Sequence, residues 1–221
     1  MTALLVFFVL PMAVGFWAQH RVKSTFARNL EVGVASGMTG AQVARRILDA
    51  NGLNDVPVEQ AQGSLTDHYD PRSRSVHLSE PVYNGVSVAS TAVGAHEVGH
   101  AVQHASAYAF FRFRSAMFPA VQFASNIWVL FLFGGLILGV LQLAYLGVAL
   151  FAIAVLFQLV TLPVEFDASR RAKQQLVDLG LVASNESAGV QSTLKAAAWT
   201  YVAGALASVA MLLYYLSMLR R

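Results

Sequence analysis

No cysteine occurs in the 221 residues. Disulfides and thiolate chemistry are therefore excluded, and any zinc site must be built from histidine and carboxylate ligands. Charge is scarce too. Asp, Glu, Lys and Arg make up 12% of the chain, about half the share of ordinary soluble domains, whereas 56% of the residues are hydrophobic. That balance describes an integral membrane protein with a modest soluble part. Between Asn126 and Leu162 there is no charged residue at all. At 1.5 Å per residue the run is too long for one spanning helix and sufficient for two. No Gly-rich phosphate loop is present, so nothing points to a nucleotide. The basic residues fall near the ends of apolar segments, which fits contact with lipid and not a nucleic-acid partner.

Against this sparse background one stretch carries chemistry: Ala95-His96-Glu97-Val98-Gly99-His100-Ala101. On a helix, positions i and i+4 share a face, one turn apart. His96 and His100 can then converge on one Zn2+, and the Glu97 carboxylate can reach a water beside it as a general base. The flanks are small or apolar and suit a buried helix.

The remaining chain is read around that helix. Ala3 to Ala18 is a short apolar run containing Pro11, without the basic start of a signal peptide, and is expected to be an uncleaved anchor. Val32 to Leu53 holds a packing helix. Thr39 and Gln42 form a capping box, Val43, Ala44, Ile47 and Leu48 an apolar stripe, and Gly52 the position past its end. Val56 to Leu78 is expected to be a β-hairpin. Its first strand lies in Val56–Leu65, its second is Ser75–Leu78, and Leu65–Pro71 is the turn. Ser75–Leu78 is a candidate edge for a substrate backbone. Ser79-Glu80-Pro81 breaks the chain before the long helix that carries His96. In the charge-free run, Gly134, Gly135 and Gly139 allow close helix packing, with a turn expected near Gln142 to Tyr145. After Pro163 a charged helix continues to Leu179 and stops at Gly180. A last span runs from about Ala197 to Leu219.

A catalytic zinc needs a third protein ligand and an open position. His104 lies about 12 Å from His96 along a straight helix and cannot easily share the ion. Glu165, a carboxylate just past a long apolar run, is the better candidate. His68 and His77 are the alternatives. His68, Tyr69 and Tyr83 are candidate oxyanion donors, although a structural role is the simpler reading of each. For Arg170 and Arg171, contact with lipid headgroups is the simpler reading. Two spans separate His100 from Glu165, so both sites return to one side of the membrane. Thirteen of the fifteen Lys and Arg residues lie on that side, which the positive-inside rule places in the cytoplasm.

Four segments carry a family resemblance: Gly63-Ser-Leu-Thr-Asp-His-Tyr-Asp-Pro71, Leu78-Ser-Glu-Pro-Val-Tyr-Asn-Gly85, Ala95-His-Glu-Val-Gly-His100 and Leu162-Pro-Val-Glu-Phe-Asp-Ala-Ser-Arg-Arg171. Together they resemble the YugP-like bacterial neutral zinc metallopeptidases, nearly end to end. The resemblance implies His96 and His100 as ligands and Glu97 as base. The chain is more loosely similar to the HtpX-type and CAAX-prenyl-protease-type membrane peptidases, where a Glu-x-x-Ala-Asp helix gives the third ligand and a supporting Asp. Here Glu165 matches, but the Asp position holds Ser169, and Asp167 is offset by two residues. The supporting role stays open between Ser169 and Asp167.

The resulting expectation is a mainly α, integral membrane protein. It would combine a zincin-like α+β catalytic domain, including a small β-hairpin, with about four transmembrane helices. Residues 1–20 form the anchor, 21–125 the domain with the metal helix, 126–162 a transmembrane hairpin, 163–196 the segment completing the site, and 197–221 the last span. The expected activity is gluzincin-like hydrolysis of a protein or peptide at the bacterial cytoplasmic membrane, with one Zn2+ per chain and the lipid bilayer as partner. A non-catalytic metal-binding scaffold is the alternative. A site-2-type intramembrane protease is disfavoured, because the later spans hold no Asp.

Overall fold

The computed structural model describes residues 5–220. Ala3 and Leu4 of the expected anchor, and Arg221 at the other end, lie outside them. A π-helical turn, Leu5–Val9, leads into α1 (Leu10–Leu30), followed by α2 (Gly40–Ala50), β1 (Val58–Ala61), β2 (His68–Asp70), β3 (Ser75–Ser79), α3 (Glu80–Tyr83), α4 (Val88–Ala105), α5 (Ala109–Leu138), α6 (Leu141–Asp178) and α7 (Ser187–Leu219). The protein is mainly helical with one small sheet. It forms two compact units. One is built from His20–Phe111 and Val164–Ala198, the other from the residues before His20, Arg112–Pro163 and the residues after Ala198.

The first unit surrounds α4. Local chemistry sets its elements. At α2 the Thr39 hydroxyl accepts from Gln42 N, and the Gln42 side chain accepts from Thr39 N. This capping box satisfies two donors that a helix start leaves orphaned. Val43, Ala44, Ile47 and Leu48 are fully buried, as their spacing predicts. Gly52 ends the element at φ +72°, a conformation that disfavours any residue with a Cβ. Asn29, near the end of α1, donates to Gly189 O, Ser192 Oγ and Thr193 Oγ1 at the start of α7.

The sheet differs from the expected hairpin. Its order is β1-β3-β2, with β1 parallel to β3 and β2 antiparallel to it. The segment expected to be a turn contains β2, and β1 meets β3 in the opposite sense to a hairpin arm. Ser75, Val76, Leu78 and Ser79 of β3 are buried, which marks a central strand. Ser75–Leu78 is therefore no free edge; the edges belong to β1 and β2. The tight turn falls after β2, where Asp70 Oδ1 accepts from Arg72 N at 2.8 Å. The expected break at Ser79-Glu80-Pro81 is the start of the one-turn helix α3, because proline is tolerated in a first turn whose N–H groups lack helical partners.

Among the described residues, α5, α6 and α7 are long and apolar enough to cross a membrane. Their turn comes earlier than expected. Gly139, at φ +69°, ends α5, and Gln142 and Tyr145 already belong to α6. In the second unit α5 and α6 touch at glycines: a Cβ on Gly135 would lie 2.4 Å from Ala144 N, and one on Gly147 2.4 Å from Leu132 N. Gly134 and Gly139 have nothing within 4 Å, so only Gly135 of the three makes the expected close contact. Leu130, Ile137 and Leu138 are exposed, a surface suited to lipid. The 38 residues of α6 extend about 57 Å, nearly twice the hydrocarbon thickness of a bilayer. Its uncharged part ends at Leu162, and charged residues follow from Glu165 onward.

Candidate metal centre

Two helical segments of the first unit, α4 and the part of α6 from Val164 onward, bring the candidate ligands together. α4 carries His96 and His100 one turn apart, with ring centroids 4.8 Å from each other and planes at 80°. α6 carries Glu165, whose Oε2 lies 3.2 Å from His96 Nε2 and 3.5 Å from His100 Nε2. Among the described residues this is the group of histidine and carboxylate side chains whose ligand atoms converge, all within 4.8 Å. Glu165 is 2% exposed. Burial alone would raise its carboxyl; hydrogen bonds from His100 and His96 outweigh that and hold it well below the usual carboxylate range.

Glycine permits the approach. A Cβ on Gly99 would lie 2.7 Å from the Ala168 carbonyl oxygen and 3.1 Å from its Cα. Only a residue without a side chain lets α4 lie this close to α6, and the contact falls three residues from Glu165. On the other side of α4, a Cβ on Gly94 would lie 2.7 Å from Gly40 O at the start of α2.

Each imidazole has a partner for its second nitrogen. Ser169 Oγ is 3.2 Å from His96 Nδ1, and Gln103 Oε1 is 3.0 Å from His100 Nδ1. The Gln103 amide in turn donates to Val164 O and to Asp167 Oδ2, at 2.8 and 2.9 Å. In both rings Nδ1 is engaged and Nε2 faces Glu165. Two imidazole nitrogens and one carboxylate oxygen, with their outer atoms held, fit the donor set of a catalytic zinc with an open position. Asp167 and Ser169, competitors for the supporting role in the sequence, serve different halves of the cluster: Ser169 meets His96, and Asp167 reaches His100 through Gln103. Gln103 is not among the residues the sequence singles out. The available signal was a lone amide one turn past His100 on an otherwise small, apolar helix.

Glu97 is buried beside the group. Burial, the neighbouring Glu165 and Asp67 charges push its carboxyl up to about 7, against the pull of His96 and of the Tyr69 backbone N–H. Tyr69 belongs to the edge strand β2. Its hydroxyl pairs with His104 Nδ1 at 3.0 Å, and its ring lies near Phe111. His104 thus has a partner apart from the cluster, as the helix length predicts. His68 and His77 stack on each other at 4.7 Å; His68 Nδ1 bonds Thr66 O, and His77 Nε2 bonds Ser75 Oγ. Neither is brought to His96 and His100. Tyr83 packs on the hydrophobic core. Arg170 and Arg171, expected at lipid headgroups, both reach the Asp167 carboxylate, and Arg171 also lies over the Tyr108 ring at 5.7 Å.

The three side chains form a candidate metal site, and sequence comparison points to a zinc family. Residues 4–220 match the family described as "Putative neutral zinc metallopeptidase". The chain is 53% identical, over 207 residues, to the "Putative membrane protease YugP" of Bacillus subtilis (strain 168), covering 94% of this chain and 92% of that protein. No solved structure matches. The chain belongs to this family of neutral zinc metallopeptidases.

Proposed function

We propose that the protein is a membrane-bound zinc endopeptidase that holds one Zn2+ on His96, His100 and Glu165. The observation that carries this reading is the convergence of His96 Nε2, His100 Nε2 and Glu165 Oε2 from two helices, with Glu97 buried alongside. Zinc, when bound, lowers the pKa of a water and polarises a carbonyl. Glu97 takes a proton from the attacking water as its oxygen bonds to the scissile carbon, then returns it to the amine nitrogen as the C–N bond breaks. Ser169 and Gln103 keep the two imidazoles turned toward the site. Of the three oxyanion candidates, Tyr69 is tied to the site through its backbone N–H, which donates to Glu97 and so orients the base.

In the same reading, the soluble part is a zincin-like domain at the cytoplasmic face of a bacterial membrane. This reading divides the chain into anchor, catalytic domain, transmembrane hairpin, completing segment and last span, and takes the N-terminal helix as a fourth span. The test is zinc stoichiometry of detergent-purified protein, with casein cleavage, for wild type, Glu165→Ala and Glu97→Ala. One zinc per chain, lost in Glu165→Ala and retained without cleavage in Glu97→Ala, supports ligand set and base together. Full zinc retention in Glu165→Ala refutes the third ligand. Zinc in the wild type without cleavage of casein or a peptide library refutes the peptidase in favour of a metal-binding scaffold.

A further inference from the structure

Gln103 is fully buried on α4, one turn past His100. Its amide can be assigned an orientation from its neighbours alone. Two of them, Val164 O and Asp167 Oδ2, are pure acceptors, at 2.8 and 2.9 Å. Only the NH2 end can face both, and its two protons are then used. Oε1 is left toward His100 Nδ1 at 3.0 Å. An amide oxygen cannot donate, so His100 must carry its proton on Nδ1, and the lone pair stays on Nε2. Asp167 cannot reverse this, because its carboxylate also accepts from Arg170 and Arg171. A carboxylate ringed by two guanidinium groups and an amide stays an acceptor.

We infer that Gln103 is a positioning residue for the metal centre, passing the acceptor polarity of Asp167 to His100 and clamping α4 to α6 beside Glu165. The inference rests on the zinc-site reading above and adds to it a residue, a tautomer and a direction. The bond to Val164 O supplies the clamp, since Val164 directly precedes Glu165. The relay supplies the tautomer. Together they place the lone pair of one ligand and the backbone of another by a single side chain. Asp167, which cannot share the face of Glu165 at about 200° around the helix, still reaches the site through the length of the glutamine.

The test is Zn2+ affinity by chelator competition on the detergent-purified full chain, backed by the visible spectrum of the Co2+-substituted protein. Four variants are compared with wild type: Gln103→Met, Gln103→Glu, Asp167→Asn and the double variant Gln103→Glu/Asp167→Asn. Gln103→Met keeps the volume and removes the relay, and is expected to weaken Zn2+ binding by roughly 10- to 100-fold, the usual cost of losing a partner of a metal-bound histidine. Gln103→Glu sets two carboxylates against each other and weakens binding similarly. In the double variant the asparagine amide donates to the new carboxylate, which accepts from His100 Nδ1–H, so the share of the affinity that the relay supplies returns, while the clamp on Val164 O stays lost. A role in packing alone predicts no such recovery.

Zn2+ binding by Gln103→Met within threefold of wild type, with an unchanged Co2+ spectrum, overturns the inference while leaving the site itself intact. So does a double variant no better than Gln103→Glu. If Gln103→Met does not fold, the comparison of Gln103→Glu with the double variant decides alone. Wild-type protein that binds no zinc overturns both this inference and the reading beneath it.

Discussion

Placing a methyl group on Gly99 should damage the metal centre without touching any ligand. The Gly99 Cβ position lies 2.7 Å from Ala168 O. Ordinary contact begins near 3.4 Å, so in Gly99→Ala the two backbones must part by about 0.7 Å. Neither side can yield as a flexible side chain would, since the obstructing atoms are the Ala168 carbonyl and Cα. Metal–ligand distances tolerate only about 0.2 Å. A separation of that size pulls Glu165 away from His96 and His100, and the cost of such overpacking is about 1–3 kcal/mol. That energy corresponds to a zinc dissociation constant raised about 5- to 150-fold. The assay is chelator competition in detergent, with thermal unfolding of the metal-free protein alongside it. Gly134→Ala is the matched control, because its Cβ meets nothing within 4 Å, and it should leave both quantities unchanged. A Gly99→Ala protein that binds zinc and melts like the wild type would refute the claim that close helix contact sets the ligand geometry.

Three further outcomes are expected. Ser169→Ala removes the partner of His96 Nδ1 and should weaken zinc binding about tenfold, with Ser169→Thr retaining most of it; equal affinity in all three would remove Ser169 from the site. Asp67 is raised above its ordinary pKa by burial, against hydrogen bonds from Ser79 N and Oγ. The folded state therefore holds this proton more tightly than the unfolded state, and the contribution of Asp67 to stability falls as pH rises from 3.8 through the folded value. Asp67→Asn should flatten that decline in melting curves taken at increasing pH from 3.8 upward, and an unchanged slope would count against it. Because the chain has no cysteine, a single Asn54→Cys in an exposed turn reports sidedness: an impermeant maleimide should label it only after cells are opened, and labelling of intact cells would place this unit outside.

What was legible in the sequence is what depends on near neighbours. The Thr39–Gln42 capping box, the Gly52 and Gly180 stops and the pairing of His96 with His100 each involve residues a few positions apart, where helix geometry alone settles the outcome. Glu165 was legible for a different reason: a carboxylate directly after an uncharged run of such length asks for a partner. Strand order was not legible. Both β1 and β2 pair with β3, and a polar three-residue strand such as His68–Asp70 carries too few side chains to show an alternation.

The supporting shell shows why a one-dimensional reading stalled at Asp167 and Ser169. Asp167 and Ser169 compete for the role of the supporting Asp of the loosely similar membrane peptidases only if one face of the helix of Glu165 must serve both histidines. Two imidazoles a turn apart, with planes at 80°, turn their outer nitrogens toward different neighbours, so a single residue cannot hold both. Ser169, one turn beyond Glu165 and on its face, is close enough for direct contact with His96. Asp167 points elsewhere on α6 and needs an intermediary on α4. That intermediary must accept at one end and donate at the other, which excludes an ionised carboxylate and which a side-chain amide does with the length to span the two helices. Gln103 meets the requirement in reach, polarity and burial. Its selection is a property of the crossing between two helices, and Gly99, which permits that crossing, is as much a determinant of the centre as the side chains that converge on it.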